Sequence, residues 1–508
     1  MVFTLPFLKC ETREQRMNLM NKTFNNNETE TIVTREHLQA REIMARATVA
    51  AGIFNQYDQE RVDRIVDNIA RAAFNNRVRL AKMAHEETKL GVWQHKALKN
   101  VLASQFIHEN IRNEKTVGVL SHNENSGITE IAQPLGPILA IIPMTNPTST
   151  VIFKVLIAMK SRNPVIISPN SKAIKSIMET VRICYEAALS ADAPEDCVQC
   201  LPESSREWTH AMMTQSGIAL ILATGGTSLV KAAYSSGTPA IGVGPGNVPV
   251  FIDKSADLPF AVSNIILSKT FDNGTVCASE QAVVVEQSFA ASARAEFEKQ
   301  NCHFLDAEEI LKLEAIAINK ETGVMNAAIV GQSVETVAKM AGIKPPAGTK
   351  IMLAEQSGVG RDYPLSGEIL APILAFYICP DVDEALKTCI DLNYFAGIGH
   401  TASIYANDPA VIDMFGNLMN AGRVLINTPS SQGAVGGVFN TLLTSFTLGC
   451  GAGGKNITTE NISAKHLVNI KRICRRRDNE RWTRFDANKY LDEKADWNAI
   501  MKEYNKNY

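Results

Sequence analysis

Short apolar runs alternate with longer amphipathic segments through the middle of this chain. The runs are ILAII (138–142), VIIS (165–168), LILA (220–223) and VPVFI (248–252). The segments between the first three, PTSTVIFKVLIAMKS and KAIKSIMETVRICYEAAL, have the apolar spacing of helices. Buried strands that alternate with helices are typical of a parallel sheet with both faces covered. The pattern predicts an α/β fold, and a second α/β region follows over residues 255–440.

The N-terminal third has other patterns. Residues 1–33 are polar and rich in Asn and Glu, which predicts a flexible extension; an alternative for its short apolar start is docking to a partner or a shell. Residues 34–115 have helical periodicity, with Asp58 as an N-cap. Alternation on both sides of an Asn/Ser/Gly turn predicts a β-hairpin over 116–133. This hairpin has no evident partner in its own domain, so we expect it to pair across subunits.

Composition narrows the class of protein. A length of 508 residues predicts two or three domains, and a net charge of −2 gives no basic field for nucleic acid or a membrane surface. No run of about 18 apolar residues predicts a membrane span, and the first residues do not form a secretory signal. Ten scattered cysteines suit a reducing cytoplasm. Cys197 and Cys200 form a lone C-x-x-C, which we interpret as chance spacing rather than a metal site.

Two turns could serve a ligand or only the fold. LILATGGTSLVKAAY places Gly225 and Gly226 between a strand and a helix, where backbone amides could face a phosphate. The same turn could simply pack the strand against the helix. IIPMTNPTST places Asn146 and Pro147 at a helix start, where Asn is a common N-cap and Pro a common first residue. The other interpretation is that the Asn146 amide donates a hydrogen bond to an oxyanion.

Three further residues are candidates for chemistry. KTFDNGTVCASEQ holds Cys277 after the turn residues Asp272, Asn273 and Gly274, which favours a loop position and a reactive thiol. A lone cysteine is more often a small buried apolar residue. Glu368 in GEILAPILAF and His400 in GIGHTASIYA are, taken singly, more often structural than catalytic.

Taken in order, these segments resemble the aldehyde dehydrogenase superfamily, and most of all its CoA-acylating members and the aldehyde dehydrogenase half of bifunctional aldehyde–alcohol dehydrogenases. The resemblance covers most of residues 35–475. The motifs that carry it are TNPTST, ILATGG, KAAYSSGTPAIGVGPGN, SKTFDNGTVCASEQ, GIGHTA and LINTPSSQG.

The resemblance implies roles for individual residues. It makes Cys277 the nucleophile, Asn146 the side-chain oxyanion donor and His400 a histidine near the thioester, with general-base action and a structural role both open. It places cofactor binding at Gly225, Gly226, Thr227, Gly244, Glu368 and Ser168, and no metal is expected.

The sequence departs from that of hydrolytic members at two places that affect the expected reaction and cofactor. The glutamate that activates water in those enzymes falls on Val243 here, and a valine cannot take a proton from water. The acyl-enzyme should then persist until a thiol such as coenzyme A attacks. At ISPNS, Ser168 and Ser171 stand where a lysine and a glutamate grip the adenosine ribose, so NAD is expected while NADP is not excluded.

The resemblance also implies an architecture. We expect a Rossmann-type cofactor domain (34–115 and 134–254), an α/β catalytic domain (255–440) and oligomerisation elements (116–133 and 441–465). The remaining residues, 466–508, form a tail whose basic run KRICRRR is a solvated surface or contacts CoA phosphates, and no alcohol dehydrogenase domain is expected after it.

The implied activity is reversible oxidation of a small aldehyde, by default acetaldehyde, to its acyl-CoA with NAD and coenzyme A, in a cytoplasmic homo-oligomer. Propionaldehyde and sulfoacetaldehyde are alternative substrates. A hydrolytic enzyme and a member without activity are alternative functions; Val243 opposes the first, and the retained Cys277, Asn146, Gly225 and Glu368 oppose the second.

Overall fold

The computed structural model describes residues 35–319 and 323–507. The predicted N-terminal extension lies outside them. The structure has three β-sheets with helices packed on the two larger ones. Among the described residues no helix is long and apolar enough to cross a membrane. The predicted α/β fold class is confirmed.

Helices cover the faces of the sheets and form the N-terminal region. Asp58 caps its helix as predicted, accepting a hydrogen bond from the Arg61 backbone N–H. In the first half of the chain the α-helices are Arg35–Phe54, Gln59–Asn75, Arg77–Thr88, Trp93–Val101, Ile107–Ile111, Pro147–Lys160, Ile174–Leu189, Arg206–Met213 and Thr227–Ser235, with a π-helical turn at Leu102–Phe106. In the second half they are Leu258–Thr270, Gln287–Lys299, Ala307–Ala317, Val334–Ala341, Val382–Ala396, Pro409–Leu418, Ser430–Val435, Glu480–Thr483 and Trp497–Tyr504. Short 3-10 turns lie at Phe271–Gly274, Pro364–Ser366, Ala464–Leu467, Ala487–Leu491 and Asn505–Asn507.

The first large sheet is parallel and five-stranded, in the order β5-β4-β3-β6-β7. Alternate residues of β3 enter the two apolar clusters on opposite faces of the sheet, which explains why the strand is apolar throughout. The strand order reverses between β3 and β6, and ligands of such sheets bind beyond the carboxyl ends of the strands at that point. The strands are β3 Ile138–Ile141, β4 Val165–Ser168, β5 Val198–Cys200, β6 Leu220–Thr224 and β7 Ala240–Val243.

The second large sheet is parallel and seven-stranded, in the order β10-β11-β12-β9-β8-β13-β14. The run VPVFI, which the sequence pattern grouped with the first sheet, forms its strand β8 and pairs with β9 and β13. The strands are β8 Val248–Ile252, β9 Glu280–Glu286, β10 Cys302–Phe304, β11 Ile351–Glu355, β12 Ile373–Cys379, β13 Ala402–Tyr405 and β14 Val424–Ile426. The domain boundaries themselves stay a prediction.

The predicted hairpin is present, and it pairs with a third strand of the same chain that the sequence pattern does not indicate. Its pairing across subunits stays a prediction. Strands β1 (Gly118–Asn123) and β2 (Ile128–Pro134) pair antiparallel, and β15 (Val468–Cys474) pairs antiparallel with β2. The partner comes from the basic run near the C-terminus, more than 330 residues away, which local periodicity could not indicate. Residues 471–477 are exposed, as predicted for a solvated surface.

A glycine-rich loop, residues 449–459, covers the amino-terminal edge of the seven-stranded sheet. The buried Arg423 guanidinium donates to the carbonyl oxygens of His400, Gly449 and Thr459, and so ties β13 to this loop. Gly399 has φ +80°, and a Cβ there would lie 1.8 Å from the Cys450 carbonyl oxygen. Only glycine fits where these two backbone segments meet.

We therefore expect Gly399→Ala to lower the free energy of unfolding by about 2 kcal/mol or more, because the new methyl group meets backbone and the φ is unfavourable. The matched control is Gly416→Ala, since Gly416 is exposed in the helix Pro409–Leu418 and a Cβ there meets nothing within 4 Å. That control should be neutral or stabilising by up to about 1 kcal/mol. Urea denaturation followed by tryptophan fluorescence measures both, and equal midpoints would contradict the expectation.

Candidate active site

Four neighbouring strands of the seven-stranded sheet bring the predicted residues of the second half together. Glu368 precedes β12, Cys277 precedes β9, Gly246 precedes β8 and His400 precedes β13. The strands lie side by side in that order and are parallel, so the residues before them meet at one edge of the sheet. Four residues that lie between positions 246 and 400 of the sequence therefore converge.

Gly246 is the point at which they meet. Its backbone N–H donates to Glu368 Oε1 at 2.9 Å. A Cβ on Gly246 would lie 2.4 Å from the Cys277 carbonyl oxygen and 3.1 Å from the His400 ring. No side chain fits there, which gives the second glycine of the VGPGN segment a structural reason.

The Cys277 thiol is partly enclosed and protonated in the free protein. Burial, together with smaller contributions from the nearby Glu368 and Cys450, raises its pKa to about 12, while Arg423 acts in the opposite direction. At neutral pH the reactive thiolate is therefore a very small fraction of the population. The nucleophile needs a change in its surroundings, or a proton acceptor, before it attacks.

Asn146 lies at the carboxyl edge of the five-stranded sheet, after β3. It stands before Pro147 at the start of the helix Pro147–Lys160, but its side chain does not cap that helix. Its Oδ1 accepts from Lys99 Nζ at 2.6 Å, and its Nδ2 donates to Thr145 Oγ1 at 3.2 Å. The N-cap interpretation is therefore wrong for the side chain, although the position at the helix start is as predicted. The amide has an N–H directed away from Lys99 that is free to serve a ligand.

One cavity lies between the two sheet edges and is lined by two of the three candidate catalytic residues, Cys277 and Asn146, whereas His400 is not among its lining residues. Cys277, Asn146, Val243 and Thr224 all line it. Val243, which stands where hydrolytic members have their glutamate, therefore lines the same cavity as Cys277. Most of the remaining wall is apolar and comes from Leu102, Phe271, Val276, Val435, Phe446 and Leu448.

The turn after β6 has the features of a phosphate site. The helix Thr227–Ser235 begins at Gly226 with no side-chain capping bond, so its first backbone N–H groups are not used by a cap. A Cβ on Gly226 or on Gly244 would meet nothing within 4 Å, which leaves open space for a ligand. A Cβ on Gly225 would lie 2.7 Å from a Leu229 methyl group, so that glycine also serves packing. These residues fit a dinucleotide pyrophosphate.

Ser168 is less well placed for a cofactor. It ends β4 and is buried, and its Oγ is 3.0 Å from Thr209 Oγ1, with which it shares a hydrogen bond. Its hydroxyl is therefore already used within the protein. Ser171, three residues further on, is exposed.

Glu368 and His400 are both shifted toward their neutral forms. Burial raises the pKa of Glu368 to about 7, although the Gly246 N–H opposes the shift. Burial and the nearby Arg423 lower the pKa of His400 to about 3, so its ring is neutral at any working pH. His400 Nδ1 lies 2.9 Å from Thr401 Oγ1, and its Nε2 has no hydrogen-bond partner among the described residues. A neutral ring can accept a hydrogen bond but holds a proton weakly.

The charged groups beneath the Cys277 loop were not predicted from the sequence. Lys96 and Lys99 both donate to Asp272 Oδ2, at 2.9 Å and 2.6 Å, and all three side chains are buried. Asp272 was interpreted only as a turn residue. The available signal was the K-x-x-K spacing of Lys96 and Lys99, which puts two lysines on the same side of a helix.

The comparisons with known proteins agree with this geometry. A model of the aldehyde dehydrogenase family matches residues 8–341. The chain belongs to the aldehyde dehydrogenase family. The predicted resemblance and the predicted enzyme class, an acylating aldehyde dehydrogenase, are confirmed by its relatives.

Three of these relatives show how similar the chain is to known proteins. An aldehyde-alcohol dehydrogenase of Clostridium acetobutylicum is 45% identical over 86% of this chain and 51% of its own length. A succinate-semialdehyde dehydrogenase (acetylating) of Clostridium kluyveri is 34% identical over 85% of this chain and 95% of its own. The crystal structure of an acetylating aldehyde dehydrogenase from Geobacillus thermoglucosidasius has a TM-score of 0.85 at 43% identity, and covers 89% of this chain and 99% of that one. The chain spans about half the length of the aldehyde–alcohol dehydrogenases that it matches.

The protonation state of Cys277 can be tested by the pH dependence of its alkylation. Because burial raises its pKa to about 12, alkylation of Cys277 by iodoacetamide in the free protein should accelerate about tenfold per pH unit from pH 7 to pH 10. The thiolate is the reacting form, and its fraction grows with pH until the pKa is reached. Peptide mass spectrometry assigns the label, with Cys277→Ala as the control for the exposed Cys474. A plateau below pH 8 would contradict the assigned direction.

Proposed function

We propose that this chain oxidises a small aldehyde to its acyl-CoA, reversibly, through a thioester on Cys277, with a nicotinamide cofactor and coenzyme A as co-substrate. The observation that supports this most directly is the shared cavity of Cys277, Asn146 and Val243. It puts a nucleophile and an amide donor together with an aliphatic side chain where hydrolytic members hold a base.

The first step begins when the Cys277 thiol loses its proton to solvent. The thiolate then attacks the aldehyde carbon, so that a sulfur–carbon bond forms, the π bond of the carbonyl breaks and its electron pair goes to the oxygen. The Asn146 amide and the Cys277 backbone N–H are the proposed donors to that oxygen. Loss of one such donor typically slows a reaction ~100- to 1000-fold. The low dielectric of the mostly apolar cavity strengthens these hydrogen bonds.

The cofactor would lie along the edge of the five-stranded sheet. Gly225, Gly226, Thr227 and Gly244 are proposed to hold its phosphates, and Glu368 its nicotinamide ribose. A nicotinamide dinucleotide bound there supplies the hydride acceptor. NAD is the expected form. Ser168 is bonded to Thr209, so its proposed contact with the adenosine end would require that hydroxyl to change partner.

The second half of the reaction depends on which nucleophile reaches the thioester. Val243 cannot accept a proton from water, so hydrolysis lacks a base at that position. A thiol needs less help because a thiolate is a far stronger nucleophile than water. His400 is proposed to receive or orient the proton of the CoA thiol. Its neutral ring and its unpartnered Nε2 suit a hydrogen-bond acceptor better than a strong base.

The cavity favours a small uncharged aldehyde. Lys99 is the one charged side chain among its lining residues in the described part of the chain, and it already pairs with Asp272. The carboxylate of succinate semialdehyde or the sulfonate of sulfoacetaldehyde would therefore find no free cation. We propose acetaldehyde as the substrate, with propionaldehyde as the alternative.

Self-association, with the exposed edge of β15 as a candidate contact, stays a prediction.

The need for CoA can be tested directly. With NAD and acetaldehyde but no CoA, rapid mixing should show a burst of about one NADH per active site followed by a near stop, because the thioester hydrolyses slowly without a base. Addition of CoA should restart turnover, and Cys277→Ala should abolish the burst with the fold retained. Sustained NADH production with free acid as product would show that another group activates water and would reject the acylating function.

A pair of substitutions isolates the role of Val243. Val243→Glu should introduce CoA-independent turnover, because it adds a carboxylate beside the thioester. Val243→Gln is the matched control with nearly the same shape and no base. Burial raises the pKa of such a carboxyl, so the effect should grow as the pH rises above neutrality. Equal CoA-independent rates for the two variants would show that access of water, rather than a base, is the limiting factor.

A further inference from the structure

A buried group of three charges lies beneath the candidate nucleophile. Asp272 has no exposed side-chain surface, and Lys96 and Lys99 have 3% each. Both ammonium groups donate to the same oxygen, Asp272 Oδ2, while Oδ1 accepts from the Val92 backbone N–H at 2.7 Å. One carboxylate faces two ammonium groups, so the group carries a net positive charge away from water. Such an arrangement is costly unless the remaining donors find acceptors.

The two lysines use their remaining donors differently. Lys99 Nζ donates to Asn146 Oδ1 at 2.6 Å and to Thr275 Oγ1 at 3.0 Å. Lys96 Nζ instead donates to the Thr145 backbone carbonyl at 3.2 Å. Thus only Lys99, of this pair, contacts the side chain proposed as the oxyanion donor.

The contact with Lys99 decides which end of the Asn146 amide is presented to the cavity. An ammonium group can only donate, so the amide must turn its oxygen toward Lys99. Its NH₂ group is then directed elsewhere. The opposite orientation would bring an N–H against an N–H and present an acceptor to an oxyanion, which would repel it. The hydrogen-bond network therefore assigns the orientation that catalysis would require.

The same carboxylate also holds the loop that carries Cys277. Asp272 has φ +53°, and its backbone N–H donates to His95 Nδ1 at 2.8 Å. Gly91 has φ +65°, and a Cβ there would lie 1.9 Å from Asp272 Oδ1, so the chain before the helix Trp93–Val101 packs directly on the carboxylate. Cys277 follows five residues later. Asp272 thus fixes the position of the nucleophile through its own loop, and it fixes the position of the oxyanion donor through Lys99.

We propose that Lys99, held by Asp272, is a positioning residue that orients the Asn146 amide toward the oxyanion formed when Cys277 attacks the aldehyde. This inference rests on the proposed function. Burial lowers the pKa of Lys99 to about 8, opposed by the nearby Asp272, so the ammonium form prevails at pH 7. The experiment is therefore set at pH 7.

The test measures the rate of the first NADH burst with NAD and acetaldehyde in the absence of CoA. Lys99→Met should slow the burst about 100-fold, the lower bound for loss of one oxyanion donor. The apparent affinity for acetaldehyde should change less than about threefold, because the amide acts on the oxyanion rather than on the bound aldehyde. Lys96→Met is the matched control. It removes an equally buried partner of Asp272 and leaves the Asn146 contact, so its burst should stay within about fivefold of the wild-type rate.

A double-mutant cycle separates positioning from general damage. If Lys99 acts through Asn146, Lys99→Met should have little further effect in an Asn146→Ala background, so the double variant should be no more than about threefold slower than Asn146→Ala alone. Additive slowing would overturn the inference, and so would equal slowing by Lys96→Met and Lys99→Met. A wild-type protein without a burst would instead reject the proposed function, which keeps the two failures distinct.

A conservative variant covers the case in which Lys99→Met does not fold. Gln at position 99 is neutral but still has N–H groups that can donate to Asp272 and to Asn146 Oδ1. Lys99→Gln should therefore keep the burst within about tenfold of the wild-type rate, provided that the hydrogen bond and not the charge orients the amide. A burst as slow as that of Asn146→Ala would overturn the hydrogen-bond explanation.

Discussion

The buried Asp272 carboxylate is the interaction on which the geometry of the candidate site depends. It joins the loop before Cys277 to the helix Trp93–Val101 through Lys96 and Lys99, and Lys99 extends the connection to Asn146. Removal of one partner from a buried ion pair typically costs ~3–5 kcal/mol, because the other charge is left without compensation. The two left-handed backbone positions at Asp272 and Asn273 are tolerated because this anchor holds them.

Topology explains why the anchor is needed. The cavity lies between the carboxyl edge of the five-stranded sheet and the amino edge of the seven-stranded sheet, so the two proposed catalytic groups belong to different sheets. Each sheet fixes its own residues by parallel pairing, but within residues 35–319 and 323–507 no strand belongs to both sheets. A side-chain connection has to set the distance from Asn146 to Cys277, and buried charges with directional hydrogen bonds do so more specifically than apolar contact.

Local features of this arrangement can be predicted from the sequence, whereas contacts between distant segments cannot. Apolar runs predicted β3, β4 and β6 because strands buried on both faces leave a local pattern, and the roles of Cys277 and Asn146 come from the resemblance and stay predictions. VPVFI was placed in the wrong sheet because a buried strand looks the same in either. The partner of the hairpin and the role of Lys99 depend on contacts distant in sequence; a lysine on a helix is usually exposed, and only the fold shows that this one faces a carboxylate.

Burial gives the proposed reaction its selectivity as well as its barrier. The enclosure that raises the pKa of Cys277 to about 12 keeps the thiol inactive in the free protein, and the same enclosure keeps His400 neutral. Once a thioester has formed, Val243 offers water no base, and the apolar part of the wall to which it belongs offers water no hydrogen-bond partner. A thiol is less dependent on such partners, since it is the stronger nucleophile once ionised. The absence of a carboxylate at position 243 and the apolar part of the cavity wall therefore act in the same direction, and in the proposed reaction both favour transfer to coenzyme A over hydrolysis.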